Sequence, residues 1–61
     1  MNAQAPRELT TEEAAKALDV SERTIYTLRE KGKISGRRDG GDWLYTLESI
    51  RAELMRRRGL A

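Results

Sequence analysis

Residues 11–30 read TEEAAKALDVSERTIYTLRE, and this stretch limits the chain more than any other. Its spacing predicts two short helices, about 11–18 and 22–31, joined by a tight turn at Asp19-Val20-Ser21. Thr10 or Thr11 can cap the first helix, and Thr10 with Glu13 has capping-box spacing, which satisfies free backbone N–H groups reciprocally. Ser21 can cap the second. Ala14, Ala15, Leu18, Val20, Ile25 and Leu28 supply apolar groups where two steeply crossing helices need them, with Ala15 letting the backbones approach.

The segment carries a recognisable pattern. Ala15, Leu18, Val20-Ser21, Ile25 and Leu28 stand where helix-turn-helix proteins of bacteria and phages place an early alanine, an apolar residue before the turn, the turn itself and two later apolar residues. The longer run LTTEEAAKALDVSERTIYTLREKGKI, followed by GGDWLYTLESI, resembles the winged helix-turn-helix group that includes excisionase-like and MerR-like DNA-binding domains, and is similar to phage terminase small-subunit N-terminal domains. The likeness covers residue 9 to roughly residue 54. One departure is Asp19, where the family often has glycine in a left-handed backbone. Aspartate visits that region more readily than most residues. The expected fold is therefore mainly α with a small β-hairpin: helix-turn-helix, two-stranded wing and third helix, spanning residues 8–58.

At 61 residues the chain has room for one small, marginally stable domain. Without cysteine or histidine it lacks the common zinc-ligand sets, cysteine nucleophiles, disulfides and histidine acid–base chemistry. The pair Glu12-Glu13 raises the question of carboxylate catalysis, but capping and solubility explain it without a second catalytic group. Gly40-Gly41 lacks the remaining residues of a phosphate-binding loop. No enzyme activity, cofactor or metal is expected. No apolar run approaches a membrane span and no secretory segment opens the chain, so a cytoplasmic protein without membrane association is expected.

The net charge is only +2, yet residues 1–30 hold 4 basic and 6 acidic side chains, while residues 31–61 hold 8 basic and 4 acidic. With a sequence pI of about 9.4, this asymmetry fits a polyanion partner. Residues 1–7 show no periodicity and are expected to be a disordered lead-in, as residues 59–61 are a flexible end.

In the second helix Ile25 and Leu28 face inward, leaving Ser21, Glu22, Arg23, Tyr26, Thr27 and Glu30 outside. A recognition helix contacts bases mainly from its N-terminal turns. Arg23 can offer two donors to a guanine edge, and Thr27 can meet a thymine methyl or a phosphate. Tyr26 can bond a phosphate through its hydroxyl or pack on the hairpin. Ser21 serves as cap and phosphate donor, and Glu22 can accept from cytosine N4 or orient Arg23.

Gly32 suits a left-handed cap at the end of this helix. Beyond it, Lys33-Ile34-Ser35-Gly36-Arg37-Arg38 and Trp43-Leu44-Tyr45 flank Asp39-Gly40-Gly41-Asp42, a hairpin signal because primed turns need positive φ. By alternation Trp43 and Tyr45 share a face packed on the helices with Ile34, while Leu44 points away. Trp43 is expected in the core, the other reading being a base-stacking surface. Arg37 and Arg38 fall on opposite faces of their strand. With the backbone at Gly40 and Gly41 they can approach a phosphate ridge or minor groove.

The third helix, about 46–57, is capped by Thr46 and carries Leu47, Ile50 and Leu54 on one face. Arg51 and Glu53 are expected outside, and Arg56, Arg57 and Arg58 at its end suit the helix dipole. These arginines, with Lys33, are also candidate phosphate contacts.

These readings point to sequence-specific double-stranded DNA binding, by an excisionase-like architectural factor or a small transcriptional regulator. Partner proteins implied by the resemblance are a recombinase, a polymerase or a packaging protein, with self-association on DNA as a further option. The alternatives are a DNA-docking domain of a phage packaging or plasmid protein, and a protein-interaction adapter that uses Leu44 as its contact patch.

Overall fold

The computed structural model describes residues 7–59; residues 1–6 and 60–61, and with them most of the expected lead-in and flexible end, lie outside the described residues. The order of elements is β1 (Glu8–Thr10), α1 (Thr11–Leu18), α2 (Glu22–Glu30), β2 (Gly36–Asp39), β3 (Asp42–Thr46) and α3 (Leu47–Arg57).

Local chemistry sets the helix ends. Thr10 Oγ1 accepts from the Glu13 N–H at 3.1 Å while the Thr10 N–H donates to Glu13 Oε1 at 2.9 Å, so the capping box is complete. Asp19 ends α1 in the left-handed region, at φ 59° and ψ 48°, without needing the glycine common at such turns. Its N–H donates to the Lys16 carbonyl at 3.2 Å, and that of Val20 to the Ala15 carbonyl at 3.0 Å. Ser21 then opens α2 by accepting from the Thr24 N–H at 3.2 Å. Gly32, at φ 75°, closes α2, and the Lys33 N–H returns to the Leu28 carbonyl at 2.9 Å.

The wing carries one strand more than the two expected. β1 pairs antiparallel with β3 in the register Glu8↔Thr46, Leu9↔Tyr45 and Thr10↔Leu44, giving a three-stranded antiparallel sheet of order β1-β3-β2. Three residues are too few to show a period of two, so β1 is invisible until β3 is there to pair with it. The strand before the glycines is also shorter than its sequence run. Lys33, Ile34 and Ser35 belong to the connection, with Ile34 buried as a core residue. Of the two turn glycines only Gly40 has positive φ, at 65°.

One core unites the layers: Ala14, Ala15, Leu18, Ile25, Leu28, Ile34, Tyr45 and Ile50, with Leu9, Val20, Trp43 and Leu54 packed around it. Two expectations about it need correction. Tyr45 is the fully buried aromatic, while Trp43, two residues nearer the hairpin tip, shares its face and is only half-buried at the core's rim. Glu53 is not outside: it is 5% exposed, because its place on α3 faces inward beside Ile50.

The Tyr45 ring lies against β2 at Gly36. A Cβ there would fall 2.8 and 2.9 Å from two ring carbons and 3.3 Å from the Leu44 carbonyl oxygen. Gly36→Ala is therefore expected to cost about 1–3 kcal/mol by overpacking, read as a fall in melting temperature of several degrees per kcal/mol in a domain this small. An unchanged melt would show that the ring can withdraw from β2.

On the outer face Arg37 clamps the two edge strands across β3. Its Nε and Nη2 donate to the two Glu8 oxygens at 2.8 and 2.9 Å. These bonds hold the Glu8 carboxyl below its ordinary value and raise the Arg37 guanidinium above its own. A carboxyl with a depressed folded-state pKa stabilises the fold above its unfolded value and loses that contribution as pH falls through the folded one. Glu8→Gln should thus melt lower than the parent at neutral pH, and the gap should close as pH drops below the ordinary glutamate value of 4.5. Thermal melts from neutral to about pH 3 test this, and a gap independent of pH would mean that the pair adds nothing.

Candidate nucleic-acid interface

The interface is built outward from α2. Ile25 and Leu28 anchor its inner side in the core, which leaves Ser21, Glu22, Arg23, Tyr26, Thr27 and Glu30 exposed. The candidate reading face is therefore one continuous polar surface on a helix held rigidly from behind.

Along that face the side chains differ in freedom. The Ser21 hydroxyl is engaged with Thr24, both through the cap and at 3.1 Å to the Thr24 hydroxyl. Thr27 Oγ1 donates to the Arg23 carbonyl at 3.2 Å, leaving its methyl group and oxygen lone pairs outward. Arg23, in the first turn, enters no salt bridge among the described residues. Its guanidinium fork is thus free for an external acceptor.

Arg29 joins α2 to the wing. Its guanidinium carbon lies 3.9 Å from the centre of the Trp43 ring and 5.4 Å from that of Tyr26, and its Nη1 donates to the Tyr45 hydroxyl at 3.1 Å. Arg38 stands over the same Trp43 ring at 5.6 Å. A cation over an aromatic face is attracted by the ring quadrupole. Trp43 is accordingly a bracket between α2 and the wing, and Tyr26, 41% exposed, remains on the surface beside it. The sequence reading did not single out Arg29. The signal was its place three residues after Tyr26, on a neighbouring site of the helix surface.

At the wing the two arginines separate as their alternation required. Arg37 sits opposite Leu44 on the outer face and Arg38 opposite Trp43 on the helix side. The charge of Arg37 is engaged by Glu8, whereas Arg38 stands over the Trp43 ring and enters no salt bridge among the described residues. Gly40 and Gly41 are exposed at the tip, with nothing within 4 Å of an added Cβ, so another molecule can approach the backbone there. Leu44 is half-buried, with Arg37 and Thr10 as its register neighbours, and does not form an open apolar patch.

The other candidate cations, Lys33 and Arg56 to Arg58, lie near the end of α3. Arg56 Nε and Nη2 donate to Glu53 Oε1 at 3.1 and 2.7 Å, and Nη2 also donates to the Lys33 carbonyl at 3.0 Å. Arg57 Nη1 lies 3.6 Å from Glu53 Oε2. Arg58 is the exposed C-cap of α3. Lys33, Arg56 and Arg57 therefore come together, while Arg58 leads away toward the C-terminus.

Among the described residues no group of three or more histidine, cysteine, aspartate or glutamate side chains is arranged to hold a metal ion, and no helix is long and apolar enough to cross a membrane. A family described as a helix-turn-helix domain matches residues 8–58. Comparison with curated proteins and with solved structures found no match. The matched span contains the capped helix pair, the turn, the three-stranded wing and α3, and on that ground the chain belongs to the helix-turn-helix domain family, as a DNA-binding domain of that type.

Proposed function

We propose that this domain binds double-stranded DNA sequence-specifically, with α2 in a major groove and the tip of the wing against the backbone or an adjacent minor groove. The observation that carries the proposal is the unpaired Arg23 fork in the first turn of an exposed polar helix face whose other side is locked into the core. Ser21, Tyr26 and Thr27 position the helix through phosphate or thymine contacts, and Glu22 accepts from a cytosine amino group or orients Arg23. In the wing Arg38 supplies the free charge, Gly40 and Gly41 permit close approach, and Arg37 contributes less because Glu8 already neutralises it. Lys33 and Arg56 to Arg58 add phosphate attraction on the far side of α2.

The domain's mode of action in this reading is positioning on the duplex. Two uses fit: an excisionase-like architectural factor that bends DNA and recruits a recombinase, and a small transcriptional regulator. Selecting bound sites from a random duplex pool separates assemblies, because a single half-site, an inverted repeat and tandem repeats each imply a different arrangement of copies on DNA.

Arg23→Ala should weaken binding to the selected site by about 1–3 kcal/mol and affect a random duplex much less. Arg23→Lys should restore only part of the loss, since it keeps the charge but not the planar fork. Titrating both variants on both duplexes at one salt concentration is the test. Equal losses on the two duplexes, with full rescue by lysine, would reduce Arg23 to a phosphate contact.

A further inference from the structure

Among the described residues one charged side chain is buried, the carboxylate of Glu53, and it belongs to none of the reading elements. It lies at the floor of a groove between α2 and α3 lined by Thr24, Thr27, Lys31, Lys33, Arg56 and Arg57. Thr24, Thr27 and Lys31 form one stripe along α2 and its C-cap, at intervals of three and four. Facing them on α3 is Glu53, with Arg56 and Arg57 three and four residues after it. Four cations thus line a groove that holds one carboxylate, itself nearly sealed from solvent.

Burying a carboxylate is costly, and exchanging a buried ion pair for apolar groups of similar volume is often neutral or stabilising. The position is next to the core, where an apolar residue would serve packing better. What the carboxylate does instead is organise two guanidinium groups. Arg56 is held by two bonds to Oε1 and spans to the Lys33 carbonyl, which ties α3 to the segment after α2. Arg57 is drawn to Oε2. Both arginines keep more than two-fifths of their side-chain surface exposed, so each guanidinium is tethered by the carboxylate while its side chain stays accessible from solvent.

The opposite flank of α2 has the reverse character. Between α2, the start of α1 and the wing runs a cleft whose lining includes Glu12, Glu22 and Asp42 and no cation. A phosphate ridge beside α2 therefore meets more positive charge on the α3 flank than within that cleft, where Arg29 and Arg38 over the Trp43 ring offset part of the acidic lining.

We propose that the α2–α3 groove seats a phosphodiester of the duplex backbone, with Lys31, Arg56 and Arg57 as its cationic donors, and that Glu53 is the positioning residue that presents the two arginines to it. The proposal rests on the DNA-binding reading above and adds to it the path of the backbone and a role for a buried anion. Charge alone and positioning make opposite predictions for Glu53→Gln. Removing a negative charge beside a phosphate should tighten binding if only the field matters. Loosening two arginines should weaken binding if their placement matters.

The test measures the affinity of the full chain for a random-sequence duplex across a range of salt concentrations. Lys31→Ala and Arg57→Ala should each flatten the slope of log affinity against log salt by about 0.9, so that a tenfold rise in salt costs about eightfold less affinity than it costs the parent. Glu53→Gln should weaken binding and flatten the slope with its charge change pointing the other way. Arg56→Lys should behave like Arg56→Ala, because lysine keeps the charge and loses the fork that grips Glu53; this surface pair keeps the positioning role testable if the Glu53 variant fails to fold. Unchanged slopes for Lys31→Ala and Arg57→Ala, with the parent binding normally, would remove the groove from the interface and leave the reading helix untouched. Tighter or unchanged binding by folded Glu53→Gln, or full function of Arg56→Lys, would overturn the positioning role. A parent chain without salt-dependent duplex binding would overturn the DNA reading and this proposal together.

Discussion

The phenol of Tyr45 joins the sheet to the helices. Its ring is wholly buried among the residues that hold α1 and α2 together, it lies flush against β2 because Gly36 has no side chain, and its hydroxyl accepts from Arg29 on α2. A two-stranded ribbon is marginal in water. Here β3 is tied on one side to β2, on the other to β1, and beneath to the helical core through this buried ring, with Trp43 packed at the core's edge. The orientation of the wing relative to the exposed face of α2 is inherited from that contact, and the Arg29–Trp43–Arg38 stack extends the same join to the rim.

Charge is distributed around α2 rather than over the molecule. The net excess of +2 is too small to direct a domain onto a polyanion. Cations concentrate toward α3 and acids toward the wing-side cleft, while the arginine at the base of the wing spends its charge on Glu8. A basic count in a sequence treats all these arginines alike. Among the described residues they divide into one without a salt bridge on the exposed face of α2 (Arg23), braces (Arg29 and Arg37), one over an aromatic ring (Arg38), and two oriented by a buried anion (Arg56 and Arg57).

Which features were legible in the sequence follows from the range over which each is determined. The capping box at Thr10 and Glu13, the left-handed Asp19, the Ser21 cap, the Gly32 stop and the Thr46 cap are all decided within four residues, and each stands where the spacing placed it. The exposed face of α2 was legible for the same reason, since a period of 3.6 residues orders a helix surface without reference to its partner. β1 was not legible because a strand of three residues carries no period. Trp43 and Tyr45 were placed on the correct face by alternation, but alternation says nothing about depth. Depth depends on how far along β3 the helices reach, so the smaller aromatic occupies the core and the larger one its edge.

The sequence by itself determined the two capped helices, their turn, the hairpin with its glycine tip, and the side of α2 that faces outward, because propensity, capping and periodicity act between near neighbours in the chain. Only the tertiary structure decided which charges are free. Glu8 meets Arg37 across 29 positions of sequence, and Arg29 reaches Tyr45 across 16. Arg56 reaches the Lys33 carbonyl across 23. Glu53 reads as an ordinary solvated helix glutamate until Ile50 and the inner face of α3 turn it inward. Pairing energies between such groups depend on separation and solvent exposure, and neither quantity exists until the chain has folded.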